Sequence, residues 1–186
     1  MTKIIVKTDI CNILSNYFAF NRYKMKNLIL IRHAKSSWDY NVDDEKRPLA
    51  DRGISDAHLV SEEFKSNLFQ PDVIFSSPAN RAFSTCKIFI KNLKYSDKLL
   101  IISDKLYDFS GEKVLEFIKS IDKRHNSVII FGHNFAFTSL TNRLGSEFID
   151  NLPTCGLVWL QFDIGSWNDL TKGTTKLIIR PKDLRD

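Results

Sequence analysis

The chain has 186 residues, of which 43% are hydrophobic and 26% charged, with a formal net charge of +5. Such a length and balance describe one globular domain with room for a core, and the absence of any apolar run of about 18 residues excludes a transmembrane helix. Three scattered cysteines, Cys11, Cys86 and Cys155, suit neither a zinc site nor a disulfide framework and fit a reducing cytoplasm.

The charge is uneven. Residues 1–24 carry Lys3, Lys7, Arg22 and Lys24 against Asp9, so three of the five excess charges lie there. A nucleic-acid binder is disfavoured, because the excess lies outside the patterned part of the chain. The segment lacks the compact apolar stretch and small-residue cleavage site of a secretory signal. It is expected to be an N-terminal extension outside the fold, with a single domain over 25–186.

Strand and helix signals then alternate. Leu28-Ile29-Leu30-Ile31 is a short apolar run that ends in Arg32-His33, the pattern of a strand buried on both faces. A polar loop follows, Lys35 to Pro48, rich in charged residues, and its length marks it as a candidate functional loop. The acids Asp43, Asp44 and Glu45 within it read as a solvated surface, with contact to a basic or protein substrate at the pocket rim as the functional alternative. Ile54, Ala57, Leu59, Val60 and Phe64 have helical spacing. Asp72 to Phe75 is a second strand ending in Ser76-Ser77-Pro78, and proline there starts a helix over Ala79 to Leu93. Cys86 falls inside that helix and reads as a small buried hydrophobe.

Leu99 to Ile102 is a third short strand, and Val114 to Ile121 has a helical pattern. Val128 to Phe131 is a fourth strand ending in Gly132-His133-Asn134, and Phe135 to Leu144 continues as a helix. Leu157 to Phe162 and Lys176 to Ile179 read as strands of an edge hairpin. The alternation predicts an α/β fold with a mostly parallel central sheet flanked by helices.

Three of these strands end in chemically active residues: Arg32-His33, then Ser76-Ser77-Pro78 with Arg81 one turn on, then His133-Asn134. In a parallel sheet, such ends gather along one edge, where ligands bind. Two arginines and two histidines make a cationic pocket sized for a phosphoryl group, since arginine forks match phosphate oxygens. A neutral imidazole there is able to attack phosphorus and form a phosphohistidine. Lys35 and Ser36, directly after the histidine, are candidate phosphate contacts. His58 and His125 read as solvated and idle.

RHA, SSPANRAFST and GHN, in that order, resemble the histidine phosphatase superfamily. The fuller RHAKSSW, followed by RPLADRG, is similar to its SixA-type phosphohistidine phosphatases. The resemblance spans Met25 to Phe162. It implies a three-layer, phosphoglycerate mutase-like sandwich, with His33 as nucleophile and Arg32 and Arg81 clamping the phosphate. By the same resemblance His133 completes the pocket and Asn134 is a supporting donor. It also implies catalysis without metal or cofactor.

The first motif reads RHA where many members have RHG, and the Ala34 methyl is expected to narrow the pocket floor. Many relatives also place a glutamate as proton donor before the third helix. Here that stretch reads LYDFSGEKV, where Asp108 and Glu112 are the nearby acids and neither matches clearly. SixA-type members lack this acid. The resemblance therefore implies a protein phosphohistidine as substrate and partner, with no nucleic acid or membrane involved. The alternatives are a small-molecule phosphomonoesterase using Asp108 as acid, and a phosphate-binding module without turnover.

Overall fold

The computed structural model describes residues 25–185; the expected N-terminal extension, residues 1–24, lies outside them. Six strands form one sheet. They are β1 (Lys26–Arg32), β2 (Val73–Ser76), β3 (Leu100–Ile102), β4 (Ser127–Gly132), β5 (Leu157–Phe162) and β6 (Thr174–Ile179). Their order is β3-β2-β4-β1-β5-β6. The first four lie parallel, whereas β5 and β6 are antiparallel additions beside β1. The last two strands form the hairpin read from the sequence, with β6 at the sheet edge.

Four helices cover the sheet: α1 (Asp51–Lys65), α2 (Asn80–Leu93), α3 (Glu112–Lys119) and α4 (Ala136–Leu144). The alternation of side chains along a strand decides which layer each residue joins. In β1, Leu28 and Leu30 pack into a cluster with Val114, Leu115 and Ile118 of α3 and Ala136, Phe137 and Leu140 of α4. Ile29 and Ile31 face the other way, toward Ala57, Val60 and Phe64 of α1 and Cys86, Phe89 and Ile90 of α2. These opposite clusters make the sandwich three layers deep. All four aliphatic residues of β1 are fully buried, each contributing about 1.5–3 kcal/mol. Burial on both faces is why the run Leu28 to Ile31 shows no polar alternation.

Cys86 lies in the α1–α2 cluster, where burial pushes its thiol pKa up and keeps it uncharged. Ala34 joins the same cluster and is fully buried. Its methyl therefore belongs to the core under α1 and α2, which corrects the expectation that it narrows the pocket floor.

The long loop after β1 folds back onto the start of α1. Ser36 bridges Leu49 in antiparallel fashion, Ser37 N–H donates to the Pro48 carbonyl and Ala50 N–H donates to the Lys35 carbonyl. Gly53 then brings the first turn of α1 flat against the Lys35 backbone. A Cβ at this position would overlap the Lys35 carbonyl oxygen, so the glycine of RPLADRG is a packing requirement. Gly53→Ala, although favourable to helix formation in isolation, is expected to destabilise the fold by about 1–3 kcal/mol through overpacking. Urea unfolding of the two proteins measures the difference.

Candidate active site

The parallel strands β2, β4 and β1 are neighbours, and their C-terminal ends bring the three motifs together. His33 follows β1 directly. Its N–H donates to the Gly132 carbonyl at 2.9 Å, and its own carbonyl accepts from Cys155 N–H at 3.1 Å. The backbone of this residue is thus held from both sides, by the end of β4 and by the segment leading into β5. The ring is 8% exposed.

The His33 tautomer follows from one hydrogen bond. Nδ1 lies 2.8 Å from the Ala34 carbonyl oxygen. A carbonyl only accepts, so Nδ1 carries the proton and Nε2 presents a lone pair. Arg81 Nε donates toward that Nε2 at 3.3 Å. Burial lowers the His33 pKa most, and the charges of Arg81, Arg32 and Arg47 add to it against the Ala34 hydrogen bond, leaving it at about 3. The ring is therefore neutral at physiological pH, with its Nε2 lone pair directed toward Arg81.

Arg81 is the second residue of α2 and is 1% exposed. Its position is tied to the backbone directly after His33. The Arg81 carbonyl accepts from Thr85 Oγ1 at 2.7 Å, and that hydroxyl accepts from Ala34 N–H at 3.0 Å. Arg32 points across the other side of the site, donating through Nη1 to the Leu152 carbonyl at 2.7 Å.

His133 is fully buried after β4. Its ring centroid lies 5.2 Å from that of His33. Nε2 is 2.8 Å from Ser77 Oγ, and Arg81 Nη2 approaches Nδ1 at 3.5 Å. Tyr107 and Phe109 pack against the same ring with centroids 5.2 and 5.1 Å away. Burial, then the adjacent His33 and Arg81, lower the His133 pKa to about 3. Gly132, just before it, leaves room for the Phe137 ring, which a Cβ would strike.

A cavity of about 530 Å3 opens above these groups. Arg32, His33, Arg81, Lys35, Ser36 and Asn134 line it, as do Trp38, Asp44, Arg47, Tyr107 and Phe109. His133 lies beneath that wall, in contact with Arg81. Asn134 reaches the cavity, but its side chain is engaged elsewhere. Its amide donates to Asn151 Oδ1 at 2.7 Å and its oxygen accepts from the Thr138 hydroxyl at 2.8 Å.

Asp44 is a participant that the sequence reading assigned to the solvated surface. Its carboxylate accepts from Arg81 Nη2 at 2.8 Å, from the Tyr107 hydroxyl at 2.7 Å and from Arg47 Nη2 at 2.9 Å. Burial alone would raise its pKa. The Tyr107 hydrogen bond and the charges of Arg81 and Arg47 outweigh that and hold the carboxyl below the usual range. Arg47 in turn stacks on Trp38, its guanidinium carbon 3.6 Å from the ring centroid. The available signal was the spacing Asp44-x-x-Arg47 inside a loop longer than a plain connection needs.

Asp108 does not serve as a free acid. Its carboxylate accepts from Ser110 N–H at 3.1 Å, the Ser110 hydroxyl at 2.9 Å and Gly111 N–H at 2.9 Å, and it reaches Val114 N–H at 3.4 Å. Although burial would raise its pKa, those donors prevail and lower it. An anion fixed at the start of α3 stabilises that helix and has no proton to give. Glu112 pairs instead with Arg143 at 3.2 Å.

The residues matched by the family model of the histidine phosphatase superfamily (branch 1) are 28–111. They contain both the Arg32-His33 pair and Arg81. Over that stretch the chain is similar to the histidine phosphatase superfamily. An uncharacterized protein of Mycobacterium tuberculosis strain H37Rv is 28% identical over 160 residues, 80% of this chain and 96% of that protein. Among solved structures, the putative phosphohistidine phosphatase SixA of Agrobacterium tumefaciens superposes with a TM-score of 0.71 at 23% identity, covering 84% of this chain and 98% of that one. A protein histidine phosphatase SixA complexed with tungstate gives 0.72 at 19% identity, covering 86% and 99%. The fold, a mostly parallel sheet between helical layers, is thus shared along nearly the full length of these proteins.

Two outcomes are expected from the geometry. His33 and His133 stay neutral in the fold down to about pH 3 but have an ordinary value of 6.5. Between those limits the unfolded chain binds more protons, so their contribution to stability is complete above pH 6.5 and is lost as pH falls toward 3. The loss approaches about 1.4 kcal/mol per pH unit for each histidine, and urea unfolding at pH 7.5 and pH 5 measures it; His33→Ala should reduce the slope. Asp108→Asn should lower stability by about 0.5–2 kcal/mol with turnover retained, as read by thermal unfolding beside a phosphatase assay.

Proposed function

We propose that this chain is a protein phosphohistidine phosphatase of the histidine phosphatase superfamily, working through a phosphohistidine on His33. The observation that carries the reading is the Nδ1–H bond of His33 to the Ala34 carbonyl, which leaves Nε2 unprotonated and facing Arg81. In this reading Arg32 and Arg81 hold the phosphoryl oxygens and His133 supports the transferring group. Lys35 and Ser36 stand at the rim, and Asn134 acts by capping α4 beside the site.

The chemistry balances in two steps. His33 Nε2 forms a bond to phosphorus as the phosphorus–nitrogen bond to the substrate imidazole breaks, and that imidazole departs neutral if it entered protonated. Water then attacks the phosphorylated His33, releasing inorganic phosphate and restoring the free ring. Fixed donors around the equatorial oxygens supply most of what phosphoryl transfer requires.

The substrate class rests on the acids. Asp44 is held ionised by two arginines and a tyrosine hydroxyl, and Asp108 is committed to the start of α3. Neither is poised to protonate an alkoxide, which an alkyl phosphate needs on leaving. An imidazole leaving group brings its own proton. The similar SixA structures, a putative phosphohistidine phosphatase and a protein histidine phosphatase, support the same substrate class. The small-molecule phosphomonoesterase that depends on Asp108 as acid loses its proton donor.

Turnover of a phosphohistidine peptide should exceed that of glycerol phosphate by at least about a hundredfold, the low end of what general acid catalysis contributes. His33→Ala should abolish both reactions. Rapid acid-free quenching with labelled substrate should trap a base-stable, acid-labile phosphate on His33. Comparable rates on the two substrates would refute the substrate assignment, and full turnover by His33→Ala would refute the mechanism.

A further inference from the structure

The guanidinium of Arg81 offers two donor edges, and the structure divides them. At its tip, Nη1 donates to the Asp44 carbonyl at 2.6 Å and Nη2 to the Asp44 carboxylate at 2.8 Å. One residue thus chelates the whole end of the group, through main chain and side chain together. Along its flank, Nε lies 3.3 Å from His33 Nε2 and Nη2 lies 3.5 Å from His133 Nδ1. Guanidinium has five N–H groups in a rigid plane, so a grip on the tip fixes where the flank points. Rotation about the side chain is removed without using the flank.

Asp44 is itself fixed. Its carboxylate side chain is 45% exposed, which by itself would leave an ion pair weak and mobile. Here the carboxylate also accepts from the Tyr107 hydroxyl and from Arg47, and Asp44 opens a short 3-10 turn, Asp44–Lys46. The loop after β1 and the segment before α3 therefore meet on this one carboxylate.

We propose that Asp44 is a positioning residue that grips the tip of Arg81 and aims its Nε–Nη2 flank at the phosphoryl group on His33. This rests on the reading of Arg81 as the phosphoryl clamp. Asp44 acts through Arg81 and takes no part in bond making. Its charge also opposes an incoming phosphate, so the opposite arrangement, a resident anion that must leave before substrate binds, makes the opposite forecast. The division of edges separates the two: a competing anion would sit on the flank, between the arginine and the histidines, whereas Asp44 sits on the tip.

The test uses the full chain with phosphohistidine peptide and p-nitrophenyl phosphate, and calorimetric titration with inorganic phosphate. Asp44→Ala should lower kcat/KM by about tenfold to a hundredfold, the cost of a misaimed group, and should weaken phosphate binding. Asp44→Asn keeps both oxygen acceptors for the tip and should recover most of the rate. In an Arg81→Lys background, Asp44→Ala should cost less than about threefold, because an ammonium has no flank to aim and the two effects then fail to add. Thermal unfolding shows whether each variant is folded; if Asp44→Ala is not, Asp44→Asn and the Arg81→Lys pair carry the comparison. Tighter phosphate binding or unchanged turnover in Asp44→Ala overturns the proposal in favour of a competing anion or an idle one. An equal loss in both backgrounds overturns it too, since Asp44 would then act independently of Arg81. Wild-type turnover by Arg81→Ala would instead bring down the clamp reading on which the proposal stands.

Discussion

A guanidinium buried at the C-terminal edge of the sheet is the constraint on which the site depends. Arg81 is always charged and almost wholly enclosed, and an unpaired charge in that position is strongly destabilising. Each of its partners therefore has a structural reason to be where it is. Asp44 takes the tip and His33 and His133 face the flank. Thr85 ties the first turn of α2 to the backbone directly after His33. Removing the charge would relax the loop after β1, α2 and the segment around Tyr107 together.

The same enclosure explains the neutrality of the imidazoles. Desolvation and neighbouring arginines disfavour protonation of both rings, so both stay neutral without a base beside them. The tautomer is set by a main-chain carbonyl one residue on, a partner that no titration removes. The state of the His33 ring and the fold thus rest on the same set of contacts: β1 positions the ring, Ala34 selects its protonated nitrogen and Gly53 lets the following backbone lie close to α1.

Much of this was legible in the sequence. Runs buried on both faces, such as Leu28 to Ile31 and Val128 to Phe131, carry their own signature, and Arg32, His33, Arg81 and His133 stand next to strand ends. Less legible were residues whose work depends on a partner distant in sequence. Asp44 looks like any acid in a polar loop until Tyr107, 63 positions away, and Arg81 close on it. Asp108 sits in a plausible place for a proton donor, and only the N–H groups of Ser110 and Gly111 reveal its role at the start of α3. Ala34 follows His33 in sequence, yet the chain turns its methyl into the α1–α2 cluster. Period and composition encode the layers; which way a loop side chain turns is decided by what the layers leave free.

The cavity wall carries four cationic side chains, Arg32, Lys35, Arg47 and Arg81, against the single carboxylate of Asp44, with both nearby imidazoles uncharged. Such an imbalance in a concave, low-dielectric setting projects a field outward from the opening. At an ionic strength of about 0.1 M that field is felt over roughly 10 Å, far enough to orient an approaching anionic surface before contact. Encounter rates should therefore fall with added salt more steeply than the chemical step does, so that the medium, as well as the pocket, sets which partners are caught.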